Sequence, residues 1–180
     1  SRRDLAIGVL GLGALGGKVA RARADFGFSV SAWSRTPRVF DGFASEHGVD
    51  GLDRVLARSH LLLILLPLTD TTRGLLGHER LRKLPAGACI ANLSRGELLD
   101  DDALLALIDS GHVAQAYLDV FDPEPLPQAH PYWSQPRVRM TPLIGALTDP
   151  SIAAMQVAEK IRRLENGQAI TGVVDFERMY

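Results

Sequence analysis

Leu5-Ala6-Ile7-Gly8-Val9-Leu10, followed at once by Gly11-Leu12-Gly13-Ala14-Leu15-Gly16, decides the fold of this chain. The first half is a short apolar run of the kind that forms a strand buried on both faces. The second half spaces three glycines as G-x-G-x-x-G and opens a helical pattern from Ala14 to Phe26. Strand, glycine turn and helix in that order form a dinucleotide-binding loop. Gly11 permits the tight turn. Gly13 carries no Cβ, so a pyrophosphate can approach the backbone. Gly16 lets helix and strand pack closely, and the helix N-terminus offers unpaired N–H groups and the positive end of its dipole. A generic strand–loop–helix shares the glycines but not this flanking order.

The alternation continues outward from that loop. Phe28 to Trp33 reads as a second strand, followed by a short irregular stretch and a helix over Leu52–Arg58. His60 to Leu66 is a strongly apolar strand stopped by Pro67. A helical turn over Glu79–Leu84 precedes a strand over Ala88–Leu93. Asp100 or Asp101 caps a helix to Asp109, closed by Gly111. Ala114–Val120 is the next strand. Pro123, Pro125, Pro127, Pro131 and Pro136 then mark a surface loop over Phe121–Pro136. Arg137–Thr141 is the last strand. Asp149-Pro150 opens a helix to about Asn166, ended by Gly167, with a tail over 167–180. The expected class is therefore α/β: a single domain with a doubly wound, mostly parallel sheet of the Rossmann type. Ligands of such sheets bind beyond the carboxyl ends of the strands, and the polar motifs fall there.

Composition narrows the function. The 180 residues suffice for one ordinary core, and the net charge of −1 gives no electrostatic case for nucleic acid or a membrane surface. Cys89 is the one cysteine, so no internal disulfide forms, and a reducing, cytoplasmic setting is expected. Cys89 lies in an apolar run and reads as a small core residue. No apolar stretch has the ~20 residues of a membrane span. The glycine spacing and Lys18 and Arg21 argue against a signal peptide over Leu5–Ala20. No cluster has metal-ligand spacing. Neither Tyr117 nor Tyr132 has the lysine four residues on that a short-chain dehydrogenase needs.

The second strand ends Trp33-Ser34-Arg35-Thr36, where an NAD-selective site places an acid for the ribose 2′-hydroxyl. A carboxylate repels a 2′-phosphate, whereas Arg35 with two flanking hydroxyls suits one. The expected cofactor is NADP(H) in preference to NAD(H). A methyltransferase using S-adenosylmethionine also has a glycine-rich loop, but the Arg35 region and the three motifs that end the later strands disfavour it.

Five ordered motifs carry a resemblance. They are the glycine loop, Leu66-Pro67-Leu68-Thr69-Asp70-Thr71-Thr72, Asn92-Leu93-Ser94-Arg95-Gly96, Asp119-Val120-Phe121-Asp122-Pro123-Glu124-Pro125 and Met140-Thr141-Pro142-Leu143-Ile144-Gly145-Ala146. From Ile7 to the C-terminus the chain resembles the D-isomer-specific 2-hydroxyacid dehydrogenases. Trp33-Ser34-Arg35 and the ending Gly172-Val173-Val174-Asp175 bring it nearest their glyoxylate/hydroxypyruvate reductase branch. The resemblance implies hydride transfer to a small 2-keto acid. It implies that Arg95 holds the substrate carboxylate and polarises the carbonyl, and that Glu124 orients a catalytic histidine. For the cofactor it implies Gly11, Leu12, Gly13, Ala14, Leu15 and Gly16, with Ser34, Arg35, Thr36, Leu66, Pro67, Thr72, Leu93, Ser94, Gly145, and Asp119 near the nicotinamide carboxamide.

Two departures bear on activity. The family's histidine falls in Thr-Pro-His, and here Leu143 follows Thr141-Pro142. Leucine neither gives nor takes a proton, so Glu124 has nothing to orient. His130, beside Pro131, reads as structural rather than as a substitute. The family also carries roughly a hundred residues ahead of the glycine loop, forming most of a substrate domain; here only Ser1–Leu5 precede the strand. The expectation is an oxidoreductase or a fragment of one, weakly active or inactive as given. The alternative is a non-catalytic NADP-binding module. Either implies a homodimer or a partner that supplies the absent domain.

Overall fold

The computed structural model describes residues 4–174. The strands are β1 (Ala6–Leu10), β2 (Ser29–Ser34), β3 (Ala44–His47), β4 (Leu61–Ile64), β5 (Ala88–Asn92), β6 (Val113–Leu118) and β7 (Val138–Met140). The helices are α1 (Ala14–Asp25), α2 (Gly48–Arg58), α3 (His78–Leu81), α4 (Asp101–Asp109) and α5 (Pro150–Glu165). The chain divides into two compact units between Leu143 and Ile144.

In the first unit seven strands form one parallel sheet in the order β3-β2-β1-β4-β5-β6-β7. The order turns back on itself at β1, so the chain crosses first to one side and then, from β4, to the other. Alternation along β1 and β4 splits the core into two layers. Ile7, Val9 and Leu63 pack with Ala20 of α1. Leu10, Leu62 and Ile64 pack with Leu52, Val55 and Leu56 of α2 and with Leu104 and Ile108 of α4. The sheet is therefore covered on both faces, which is why its central strands read as unbroken apolar runs.

Three local differences from the sequence reading have physical causes. The stretch expected to be irregular contains β3, whose Ala44-Ser45-Glu46-His47 has no apolar alternation. It is an edge strand, made by pairing Ser31 with Ala44 through Ser34 with His47. Helix α2 starts at Gly48 rather than Leu52. Its first turn holds Gly48 and Gly51, poor helix formers, so only its second half announces itself. β4 ends at Ile64, earlier than expected, although Leu65 N still donates to the Leu10 carbonyl at 2.8 Å. The caps fall where the sequence puts them. Asp100 accepts from Ala103 N at 3.0 Å, and Asp149 from Ser151 N at 2.8 Å, with Pro150 opening α5.

In the second unit α5 buries none of its residues, and Ile152, Met155, Val157, Ile161 and Leu164 are each at least half exposed. Of the tail, 175–180 lies outside the described residues. No helix among the described residues is long and apolar enough to cross a membrane.

Candidate active site

The glycine loop leaves β1 at the point where the strand order reverses. Gly11 has φ 102°, a left-handed conformation open to glycine at little cost. A Cβ there would lie 2.4 Å from the Leu65 carbonyl oxygen, so the close approach of the chain just beyond β4 demands glycine as well. At Gly16 a Cβ would stand 1.8 Å from the Gly11 carbonyl oxygen, so the first turn of α1 sits directly on the loop. Gly13 differs: a Cβ there meets nothing within 4 Å among the described residues. Gly13 is the N-cap of α1; no side chain caps the helix and no acid stands in its first turn. The loop is thus closed by backbone on its inner side and open at Gly13, where the first turn of α1 brings neither a side-chain cap nor an acid of its own. That arrangement fits a dinucleotide pyrophosphate. Leu12 turns its side chain into the core, while Ala14 and Leu15 are exposed.

Beyond β2, Ser34 is buried and its hydroxyl donates to the Thr36 carbonyl at 2.8 Å, which shapes the turn. Arg35 and Thr36 are exposed on that turn. Beyond β4, Leu66 is buried, and the Thr72 hydroxyl donates to the Pro67 carbonyl and accepts from Thr69 N, each at 2.8 Å. Thr72 therefore staples the loop that carries Pro67. The sequence reading overlooked Arg38, whose Nη1 donates to the Leu12 carbonyl at 2.7 Å. The arginine at 38 was visible; its reach back to the glycine loop was not, because it depends on the path of the chain between β2 and β3.

Asn92, at the end of β5, is 1% exposed. Its Nδ2 donates to the Arg95 carbonyl at 2.8 Å, and its Oδ1 accepts from Ser94 N at 3.2 Å and Ser94 Oγ at 3.1 Å. One buried amide thus folds the Leu93–Arg95 turn, leaving Leu93 and Arg95 exposed. Asn92→Leu, nearly the same shape, leaves those groups unpaired. It should cost about 1–3 kcal/mol in urea unfolding. A change below about 0.5 kcal/mol, the scatter of neutral surface changes, would mean the bonds are not made in solution.

The next glycine joins two site loops. A Cβ on Gly96 would lie 2.1 Å from the Phe121 carbonyl carbon and 2.6 Å from Asp122 N. The Arg95 turn therefore packs backbone to backbone on the loop bearing Glu124. Glu124 is exposed, and its Oε1 accepts from Phe121 N at 2.9 Å. Asp119, 3% exposed, ties three strand ends together. Its N donates to the Asn92 carbonyl at 3.0 Å, its carboxylate accepts from the Thr141 hydroxyl, and its carbonyl accepts from Leu143 N at 3.0 Å. Leu143 has φ 55° and is 55% exposed. Gly145 lies in the second unit.

His130 is engaged on both sides of its ring. Nδ1 accepts from Tyr132 N at 3.2 Å, and Nε2 lies 3.5 Å from the Asp101 carboxylate. The Tyr132 hydroxyl donates to Asp101 at 2.8 Å. Burial pushes the Asp101 carboxyl up, and burial followed by the Asp101 charge pushes the Tyr132 phenol well above its ordinary range. This network anchors the proline-rich loop to α4. Cys89 is half-buried, and desolvation pushes its thiol up, away from the reactive thiolate. No group of three or more His, Cys, Asp or Glu among the described residues is arranged to hold a metal.

A parallel sheet reversing at β1, with an open glycine loop at that point, defines a nucleotide-binding domain of the Rossmann type. Residues 1–145 match the D-isomer specific 2-hydroxyacid dehydrogenase, NAD binding domain, and the chain belongs to that family. It is 44% identical to glyoxylate/hydroxypyruvate reductase A of Photorhabdus laumondii over 99% of this chain and 57% of the relative. A D-isomer specific 2-hydroxyacid dehydrogenase from Xanthobacter autotrophicus, solved with NADPH and MES, superposes with TM-score 0.96 at 44% identity, covering 99% of this chain and 74% of that one. An NADPH-dependent glyoxylate/hydroxypyruvate reductase from Sinorhizobium meliloti, solved with NADP and sulfate, superposes with TM-score 0.96 at 35% identity, over 100% of this chain and 58% of that one. The chain therefore spans little more than half the length of the curated relatives it matches.

Proposed function

We propose that this chain is the cofactor-binding part of an NADP(H)-dependent reductase of glyoxylate- or hydroxypyruvate-type 2-keto acids. The observation that carries the reading is the backbone contact of Gly96 with Phe121 and Asp122. It sets Arg95 and the Glu124 loop side by side at the carboxyl ends of the strands, the end at which the glycine loop leaves β1. Relatives of similar fold were solved with NADPH and with NADP. When bound, the nicotinamide supplies the hydride. Arg95 is the residue for the substrate carboxylate, because a guanidinium keeps its charge at any working pH and presents a planar fork. Asp119, held between Asn92 and Thr141, lies at the strand end expected to face the carboxamide. The forming alkoxide also needs a proton, and Leu143 provides none. That leucine supports a second reading, a module that binds NADP without turning it over.

Arg35 is the residue on which cofactor preference rests. Titration with NADPH and NADH should show tighter binding of NADPH. Arg35→Ala should lose about 1.5–3 kcal/mol with NADPH, the worth of a charged hydrogen bond, and little with NADH. Equal or reversed preference in the unmodified chain overturns the NADP reading. The half-exposed apolar side chains of α5 support a covering partner, either a second copy or a further domain. A single cysteine, which allows no internal disulfide, supports a cytoplasmic setting.

A further inference from the structure

We infer that Arg38 is a positioning residue for the pyrophosphate loop, acting on both dinucleotides alike rather than reading the 2′-phosphate. Its Nη1 donates to the carbonyl of Leu12, the residue between the first two glycines. In a trans peptide the C=O of one residue and the N–H of the next point in opposite directions. Pinning the Leu12 carbonyl therefore fixes the direction of the Gly13 N–H. Gly13 is where the loop stands open, with space beyond its Cα and no side-chain cap on α1. A peptide free to rock there would have to be ordered by the ligand, and that ordering weakens binding. Arg38 does the ordering in advance.

The base of Arg38 is itself held. Its carbonyl accepts from the Ser45 hydroxyl of β3. The chain just after it lies on α1: a Cβ at Gly17 would be 3.4 Å from the Phe40 ring. Phe40 and Phe43 stack with centroids 5.2 Å apart, and the Arg21 guanidinium lies 6.0 Å over Phe43. The segment between β2 and β3 is thus a strap across the first turns of α1, with Arg38 as its tie to the glycine loop. Arg35, three residues earlier, is exposed on the turn beyond β2 and is the residue suited to a phosphate beyond the ribose.

The test compares NADH, NADPH and 2′-AMP by calorimetry on the unmodified chain, Arg38→Met, Ser45→Ala and Arg35→Ala, with a thermal midpoint for each. Arg38→Met keeps the apolar stem and removes every donor. It should weaken NADH and NADPH by the same factor, about three- to tenfold for one lost hydrogen bond. It should leave 2′-AMP, which has no pyrophosphate, within about twofold, the scatter of a neutral change. Ser45→Ala should act in the same direction and less. Arg35→Ala should weaken NADPH and 2′-AMP and spare NADH. The inference rests on the glycine loop holding the pyrophosphate, which a charge placed at Gly13 tests separately. A loss confined to NADPH and 2′-AMP in Arg38→Met makes Arg38 a phosphate ligand and overturns it. Unchanged affinity for both dinucleotides overturns it as well.

Discussion

Leu143→His is expected to raise NADPH oxidation with glyoxylate by about 10²–10⁴-fold, the usual contribution of a positioned general acid. The chain spans 57% of its Photorhabdus relative, so the assay belongs on this chain joined to the part of that relative it does not match. The backbone is ready for the change. Leu143 has φ 55°, and its N–H is held by the Asp119 carbonyl at 3.0 Å. A left-handed conformation is uncommon for a bulky apolar side chain and several-fold enriched for histidine. The same substitution should therefore leave unfolding free energy unchanged or slightly raised, which urea denaturation measures. The two readouts separate a missing proton donor from a damaged loop. A joined protein that gains nothing from the histidine means proton delivery is not what limits it. An unmodified protein turning over at about 10 per second, an ordinary enzyme rate, would show that Leu143 costs nothing and that another group gives the proton.

Gly13→Asp and Gly16→Ala should fail in opposite ways. At Gly13 a new Cβ meets open space, and aspartate is a favourable N-cap, so the thermal midpoint should hold or rise. The carboxylate would stand where the pyrophosphate approaches. Like charges about 4 Å apart repel by about 4 kcal/mol at a surface-like dielectric, so NADPH affinity should fall by about 10²–10³-fold. At Gly16 a single methyl would stand 1.8 Å from the Gly11 carbonyl oxygen, which is backbone and cannot swing aside. Gly16→Ala should therefore cost about 1–3 kcal/mol of stability, as overpacking does, and weaken cofactor binding through a displaced loop. Binding of NADPH to Gly13→Asp at full strength would remove the loop from the cofactor site.

The sequence by itself determined the doubly wound parallel sheet and the family, while the strand order with its reversal at β1 came from the structure. Runs such as Leu61–Ile64 and Ala88–Asn92 are apolar because both sheet faces are covered, and burial of that kind leaves an unmistakable local pattern. The glycine loop was legible for a similar reason, since a Cβ at Gly16 would stand 1.8 Å from the Gly11 carbonyl oxygen and only glycine fits there. Helix ends capped by Asp100 and Asp149 were legible because the cap lies within three residues of what it satisfies. Everything else was decided by the tertiary structure. β3 exists because β2 offers it an edge, not because Ala44-Ser45-Glu46-His47 prefers extension. Asn92 and Gly96 were part of a motif, yet their work could be seen only when β5 and β6 lay side by side: one folds the Arg95 turn, the other presses it on Phe121. Arg38 reaches a carbonyl 26 residues away. Such contacts join residues distant in the chain, and no local periodicity encodes them, because the partner's position is set by how the whole sheet packs.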